Sequence, residues 1–131
     1  MRKKAVTLLE LTIVMIVVGI LAAMAIPNYF GVKESTLDKD ASANLKLIIA
    51  AEKIYHLENG AYYNSSNITD INNNLKLSLP QGDKRNWDYR AGPDPLAVGG
   101  ACAQASRYNV TNPRSWYLNL TIEEPQSGNC T

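Results

Sequence analysis

The hydrophobic positions of this chain follow three successive patterns, each typical of a different structure. Residues 11–26 form an apolar run of sixteen positions without a charge. In residues 28–59 apolar positions recur at spacings of three and four, which is typical of an amphipathic helix. That stripe consists of Leu37, Ala41, Leu45, Ile48, Ala51 and Tyr55. The last third carries aromatic and β-branched residues in short runs, which indicates strands.

The first two patterns predict one long helix. A continuous helix over residues 6–59 would be roughly 80 Å long at a rise of 1.5 Å per residue. Gly60 follows it in "ENGAYY" and is well placed as its C-cap. Pro27 is predicted to end or kink this helix, because proline lacks an amide donor and clashes with the preceding turn. A helix of this length exceeds a small domain, so we expect half of it to pack on something else.

The rest of the chain predicts an α+β fold in which the long N-terminal α-helix packs on a small antiparallel β-sheet. Residues 60–83 are predicted to be a loop, because "NSSNITDINNN" is rich in Asn and Ser. Within them, "LKLSL" at residues 75–79 alternates and is a candidate for a short strand. In residues 84–131, strands are predicted at "NWDYRA", "SRYNV" and "WYLNLTI".

Charge and cysteine content narrow the possible partners and compartments. Thirteen Lys and Arg against twelve Asp and Glu give a net charge of +1, which indicates no polyanionic partner. The apolar N-terminus implies export, and export permits disulfides. We therefore expect Cys102 and Cys130 to form a bridge, which the loop-entropy estimate values at roughly 3–4 kcal/mol. The alternative is two unrelated buried thiols.

Three interpretations compete for residues 1–27. A secretory signal peptide would have a basic head and a small-x-small cleavage pattern at Ala23-Met24-Ala25, and would release a secreted binding domain after Ala25. A plain membrane anchor must reach back to Ala5 to attain the length of a bilayer, and then includes Glu10. A carboxylate in the bilayer costs about 2.5–3.5 kcal/mol on insertion scales, so it usually has a partner.

The third interpretation comes from the motif in "KKAVTLLELTIVMIVVGILAAMAIPNY". This stretch resembles the N-terminus of type IV pilins and pseudopilins. The family pattern is a short basic leader, a small residue, an aromatic or aliphatic residue, Thr, two aliphatics, Glu and a long apolar run. The matching positions here are Ala5, Val6, Thr7, Leu8, Leu9 and Glu10. The family usually has Gly where this chain has Ala5, and Phe or Met where it has Val6. The motif covers residues 2–30.

The resemblance implies a processing route and a domain organisation. Prepilin peptidase would cleave between Ala5 and Val6, and the new amine of Val6 would be N-methylated. Residues 1–5 would be the leader, residues 6–27 a helix half that first spans the inner membrane and later forms a filament core, and residues 28–131 a globular pilin domain. That domain would hold the amphipathic helix half at 28–59, the loop at 60–83 and the β region at 84–131.

The resemblance also implies roles in assembly. Glu10, with Thr7 beside it, would meet the positive N-terminus of Val6 in a neighbouring subunit, since a buried carboxylate is tolerable only when paired. Gly19 and Pro27 bracket a segment expected to be flexible, because both residues are poor in helices. The alternative at this segment is a simple kink at Pro27. The partners would be further copies in a helical filament, prepilin peptidase and an inner-membrane assembly platform.

On this basis the chain is expected to be a non-enzymatic subunit of a type IV pilus on the cell surface, serving adhesion, twitching motility or DNA uptake. The alternative within the family is a pseudopilin of a type II secretion or competence system. No catalytic motif is present, and His56, the one histidine, is expected to pack. Those secretion pseudopilins typically lack a cysteine pair, so the expected bridge favours a pilin.

Two ligands have weaker support. Major type II secretion pseudopilins bind calcium through Asp residues in C-terminal loops, and Asp83, Asp88 and Asp94 are calcium candidates here; no other cofactor is expected. Aromatic residues interleaved with arginines suggest single-stranded nucleic acid as a weak possibility. Alternation, however, places many of these aromatics in the core. The residues concerned are Trp87, Tyr89, Tyr108, Trp116 and Tyr117, with Arg85, Arg90, Arg107 and Arg114.

Overall fold

A computed structural model describes residues 5–83 and 85–130. The chain divides into two compact units between Thr36 and Leu37. Helix α1 (Leu8–Asn59) contributes to both. The second unit also contains α2 (Ile68–Leu75) and the strands β1 (Trp87–Pro93), β2 (Ala101–Arg107), β3 (Ser115–Asn119) and β4 (Gln126–Ser127). The predicted α+β class, a long helix with a small antiparallel sheet, is confirmed.

The first unit consists of the N-terminal part of α1. The helix begins at Leu8, two residues later than predicted, because Thr7 occupies the capping position. Pro27 lies inside the helix, so of the two predicted outcomes the helix does not end there, and the kink stays a prediction. A proline removes only one backbone donor, while the turns on either side keep their own hydrogen bonds.

In the second unit, α1 covers the sheet with the face that the sequence predicted. Ala41, Leu45, Ile48 and Ala51 are buried, while the flanking Leu37 and Tyr55 are partly buried against the same core. Gly60 ends the helix: its φ is +75°, and its amide donates to the His56 carbonyl at 2.8 Å. A residue with a Cβ is strained in that left-handed conformation, which explains the glycine.

The four strands form an antiparallel sheet in the order β1-β2-β3-β4, with each strand beside its neighbour in sequence. Alternate residues of β1 and β2 are buried in the same core as the apolar face of α1. These are Trp87, Tyr89 and Ala91 on β1 and Ala101, Ala103 and Ala105 on β2, all buried. The alanines of β2 are small, and they belong to the same buried cluster as Leu45 and Ile48 of α1.

Polar contacts add to the apolar packing between α1 and the sheet. The Trp87 indole donates to the Leu37 carbonyl at 3.0 Å, and Asn44 Nδ2 donates to the Tyr89 hydroxyl at 2.8 Å. Burial raises the pKa of Tyr89 to about 12, so this hydroxyl stays neutral. Both contacts satisfy polar atoms at the edge of the core, as buried polar groups require.

The strand predictions need correction at two places. "SRYNV" is not a strand beyond Arg107, because the chain turns at Asn109, whose φ is +55°. Its first two residues are instead the end of β2, "ACAQASR". The earlier part of β2 escaped prediction because alanine has a low strand propensity. β3 ends at Asn119, earlier than "WYLNLTI" suggested, because the Asn119 side chain accepts from the amides of Thr121 and Ile122, both at 3.1 Å.

The predicted loop at residues 60–83 contains α2, and "LKLSL" forms no strand. Asn67 caps α2 by accepting from the Thr69 amide at 2.9 Å. Ile68, Ile71 and Leu75 are buried at spacings of three and four, a short helical pattern hidden among asparagines. Lys76 then reverses the chain in a left-handed conformation with φ +55°. Loop-like composition therefore concealed an amphipathic helix.

Candidate assembly site

The first turn of α1 holds the residues of the N-terminal motif. Thr7 Oγ1 accepts from the Glu10 amide at 3.2 Å, and the Thr7 carbonyl accepts from the Leu11 amide at the same distance. Thr7 is thus the N-cap, and Thr-x-x-Glu is the pattern of a capping box. Glu10 is exposed, and its negative charge in the first turn is favoured by the helix dipole.

The helix that follows this turn presents apolar side chains on every side. Between Val6 and Val32 the exposed fraction of the large apolar side chains ranges from 49% at Val17 to 80% at Leu8. Soluble proteins rarely leave so large an apolar surface in water, because its exposure is unfavourable. This surface therefore requires a covering environment of lipid or of other protein.

Length and composition make this helix a candidate for a membrane span. Its most apolar window has a mean hydropathy of 2.6, and none of that window is buried. Residues 8–26 would extend roughly 28 Å at 1.5 Å per residue, which is close to the thickness of a bilayer core of about 30 Å. Gly19 lies in this stretch, and a Cβ added there would meet no atom within 4 Å.

Gly19 and Pro27 both lie within continuous helix. Their predicted flexibility concerns an assembled state and stays a prediction. The cleavage and methylation predicted at Ala5 and Val6 likewise concern a processed chain. In the present structure Val6 precedes the helix and is exposed, with 69% of its surface accessible. The predicted leader falls mostly on residues 1–4, which lie outside the described residues.

The predicted bridge between Cys102 and Cys130 is confirmed. Cys102 is buried on β2, and the amide of Cys130 donates to Gln104 Oε1 on the same strand at 3.2 Å. The bridge joins residues separated by 28 positions. Because β4 has only two residues, the disulfide is a major attachment of the C-terminal segment to the sheet.

The three aspartates proposed for calcium have separate surroundings. Asp88 accepts from Arg85 Nε at 2.6 Å. Asp94 is buried and accepts from the Leu96 amide and from Asn119 Nδ2, at 2.9 and 3.0 Å. Within residues 5–83 and 85–130, no group of three or more His, Cys, Asp and Glu side chains is placed to share a metal ion. Calcium binding at these residues stays a prediction.

The aromatic and basic residues are largely engaged with each other or with the core. Trp87 and Tyr89 are buried, as alternation predicted. The guanidinium of Arg85 lies 3.7 Å from the centre of the Tyr108 ring, a cation–π contact. The His56 ring stacks on Tyr62 at 4.4 Å between centroids, which fits the packing role expected for it.

The sequence analysis missed one buried carboxyl group. Glu52 is fully buried on the core side of α1, four residues after Ile48 and three before Tyr55. Its Oε2 accepts from the Tyr63 amide at 2.9 Å, and its Oε1 has no hydrogen-bond partner among the described residues. Burial raises the pKa of Glu52 from 4.5 to about 7, partly offset by the Tyr63 hydrogen bond. Its position inside the apolar stripe was the available signal.

Because the pKa of Glu52 is higher in the folded state, the folded chain should lose stability as pH rises from about 4.5 to about 7. The folded state binds the proton more tightly than the unfolded state across this window. A pKa raised from 4.5 to about 7 corresponds to about 3 kcal/mol, all of which is lost above pH 7. Glu52→Gln keeps an acceptor for the Tyr63 amide and removes the ionisation. We therefore expect it to resemble wild type at pH 4.5 and to be more stable at pH 8.

Urea unfolding followed by tryptophan fluorescence between pH 4.5 and 8.5 measures this effect. Glu58→Gln is the matched control, because Glu58 lies on the same helix and is exposed. It should keep the wild-type pH dependence. Parallel pH profiles for Glu52→Gln and wild type would contradict the assignment of this slope to Glu52.

Comparison with known proteins finds two kinds of relatives. The type IV major pilin protein PilA of Myxococcus xanthus is 38% identical over 101 residues, which are 77% of this chain and 40% of that protein. The type II secretion system core protein G of Aeromonas hydrophila is 30% identical over 80 residues, 61% of this chain and 56% of that protein. The core protein G of Pectobacterium carotovorum is 33% identical over 61 residues, 47% and 39% of the two chains.

The chain thus spans about 40–56% of the length of the first two of these relatives. No family model matches the chain, and no solved structure matches it. The relatives nevertheless agree with the two features described above, the long N-terminal helix with its exposed apolar surface and the small antiparallel sheet that packs on α1. The chain belongs to the family of type IV pilins and type II secretion pseudopilins.

Proposed function

We propose that this chain is the structural subunit of a type IV pilus filament. The observation that carries the proposal is the apolar surface around residues 6–32, which begins directly after the motif at Ala5, Val6, Thr7 and Glu10. A helix that is apolar on all sides is stable either in lipid or among other apolar helices. A filament subunit meets both environments in turn, first the membrane and then the centre of the filament.

Before assembly, the subunit resides in the inner membrane with residues 8–26 in the bilayer. The length and hydropathy of α1 support this location. An inner-membrane assembly platform then moves the subunit into the growing filament, which extends from the cell surface. Filament growth by identical contacts that do not close on themselves yields an open helical polymer.

Processing precedes assembly in this proposal: prepilin peptidase cleaves after Ala5, and the amine of Val6 is methylated. We expect the mature protein to start at N-methylated Val6. Intact-mass measurement and N-terminal peptide sequencing of the membrane-extracted protein test this directly. Loss of Arg2, Lys3 and Lys4 would change the formal side-chain charge from +1 to −2. A mature protein that starts at Ile26 would instead identify a secreted domain released by signal peptidase and contradict the proposal.

Within the filament, Glu10 pairs with the Val6 ammonium of a neighbouring subunit. Thr7 supports this pairing because its cap on the Glu10 amide fixes the first turn of the helix, from which the Glu10 side chain extends. Gly19 and Pro27 allow the helix between them to change conformation when subunits pack. These roles rest on the resemblance of the motif and on the capped geometry of the first turn.

The second candidate function is that of a pseudopilin in a type II secretion or competence system. Its support is the similarity to the core protein G of Aeromonas hydrophila and Pectobacterium carotovorum. The Cys102–Cys130 bridge favours the pilus subunit, since secretion pseudopilins typically lack such a pair. Electron microscopy of cells with and without the gene separates the two, because only a pilus subunit yields long surface filaments at natural expression.

A further inference from the structure

From Leu37 onward, the described part of the chain has six large apolar side chains that are at least half exposed, and five of them fall in two places. Leu47, Ile54 and Leu57 lie on the side of α1 that faces away from the sheet. Leu96 and Val98 lie in the β1–β2 loop, here defined as residues 94–100. Clustered exposed apolar side chains mark interaction surfaces more often than scattered ones do.

The β1–β2 loop holds its two apolar side chains in water by a defined geometry. The buried Asp94 is the anchor: its carboxylate accepts from the Leu96 amide and from Asn119 Nδ2 on β3, at 2.9 and 3.0 Å. The Asp94 amide donates to the Gly100 carbonyl at 2.9 Å, which closes the loop. Leu96 is 80% exposed and Val98 is fully exposed. The exposure of Leu96 and Val98 is therefore a consequence of the hydrogen-bonded conformation of this loop.

Two glycines and the disulfide fix the end of this loop. Gly99 has a φ of +77°, and a Cβ on Gly100 would lie 3.1 Å from the side chains of Asp94 and Ala97. Cys102, two residues later, is bonded to Cys130. A loop whose conformation is set in this way loses little conformational entropy when it binds. Residues 95–100 also carry no charge, so their burial would leave no charged side chain without water or a partner.

Leu47 and Ile54 border a concave surface, the α1–α2 groove. It has a volume of about 350 Å³ and is lined mainly by apolar side chains of the two helices and of the residues that follow α2. The apolar lining consists of Leu47, Ala50, Ala51, Ile54, Leu75 and Leu77, and the rest of the lining is Tyr55, Glu58, Asn74 and Lys76. Leu47 and Ile54 are 53% and 59% exposed, so this groove is not filled by its own chain.

We propose that Leu96 and Val98 of one copy insert into the α1–α2 groove of a second copy. The two surfaces are both apolar and opposite in shape, one a projecting loop and the other a groove. Their exposure shows that neither is occupied within one chain. A contact between two different patches of the same protein is heterologous, and it propagates as an open polymer when the rotation between copies does not close a ring. The inference rests on the proposed filament and adds a contact between globular parts to the packing of the N-terminal helices.

Cysteine cross-linking tests this contact in assembled filaments. One chain carries Leu96→Cys, a co-expressed chain carries Ile54→Cys, and mild oxidation should give a covalent dimer whose linked peptide is identified by mass spectrometry. The control replaces Leu96→Cys by Thr111→Cys, an exposed position between β2 and β3, and should give no dimer. Equal linkage with the control, or linkage of Ile54→Cys to Ile20→Cys on the apolar helix in place of the loop, would overturn the proposal.

Substitution of the loop provides the second test. Leu96→Ser with Val98→Ser should reduce the yield of sheared filaments at least about tenfold, because apolar area is lost from the contact. The unfolding midpoint of the subunit should stay unchanged, since both side chains are exposed in the monomer. Val110→Ser is the matched control, an exposed apolar side chain outside both surfaces, and should retain full yield.

The outcomes separate this inference from the function on which it rests. If wild-type cells produce filaments and the double variant does so equally well, the loop contact is wrong and the filament proposal stands. If wild-type cells produce no filament that contains this chain, the filament proposal itself fails. A selective loss of yield in the double variant, together with the Leu96–Ile54 cross-link, would support both.

Discussion

Replacing Glu10 by alanine is expected to abolish filament assembly while leaving the subunit in the membrane. In the proposed filament, the Glu10 carboxylate pairs with the Val6 ammonium of a neighbour in a surrounding of apolar side chains. Removal of one member of a buried ion pair costs about 3–5 kcal/mol, because the other charge remains buried without its partner. A loss of that size at every subunit contact would prevent growth of the polymer.

The measurement is the amount of subunit in sheared filaments relative to the amount in membranes. Glu10→Ala should lower this ratio by at least about a hundredfold, the factor that about 3 kcal/mol corresponds to. Asp40→Ala is the control, since it removes an exposed carboxylate from the same helix outside the α1–α2 groove and should leave the ratio unchanged. Thr7 keeps its cap in Glu10→Ala because the bond uses the residue-10 amide. A normal yield of Glu10→Ala filaments would contradict the pairing.

Loss of the Cys102–Cys130 bridge is the second large effect. The double substitution Cys102→Ser with Cys130→Ser should lower the free energy of unfolding by roughly 3–4 kcal/mol, because the bridge restricts a long loop of the unfolded chain. For a small domain this corresponds to a decrease of roughly 1–3 M in the urea midpoint. The fold should persist, because the packing of α1 on the sheet involves neither sulfur.

The mature protein in detergent micelles, followed by tryptophan fluorescence, is suited to this measurement. Wild type with a reductant should resemble the double variant, and the double variant should not respond to the reductant. Hydrogen exchange should increase most in residues 126–130, because β4 has only two residues and the bridge anchors the segment that follows it. Identical urea midpoints for wild type and variant under oxidising conditions would show that the bridge does not contribute to stability.

Local patterns predicted the long helix α1 well. The spacing of Ala41, Leu45 and Ile48 predicted the buried face of α1, since apolar positions three and four residues apart over a long segment indicate an amphipathic helix. Gly60 predicted the C-terminus of the helix because few other residues adopt its conformation. The motif from Ala5 to Glu10 was recognised by its resemblance to the N-terminus of type IV pilins and pseudopilins. The same stretch also contained the cap at Thr7, which the capping-box pattern could have identified.

Other elements depend on partners that are distant in sequence. The alanines of β2 form a strand because β1 and β3 pair with it and α1 lies above it, and no local preference reveals that. α2 is a helix because this conformation buries Ile68, Ile71 and Leu75 in the core, although the asparagines around them are poor helix formers. The raised pKa of Glu52 likewise arises from the surroundings that bury its carboxyl group.

The sequence by itself determined the long helix, its apolar and amphipathic halves, the N-terminal motif and the cysteine pair, because each of these is encoded by residues close together or by residue type. Only the tertiary structure decided which strands pair, that Asp94 holds Leu96 and Val98 in water, and that an apolar groove lies between α1 and α2. Those features arise when distant segments meet, and their energies depend on the burial and hydrogen bonding that the meeting creates.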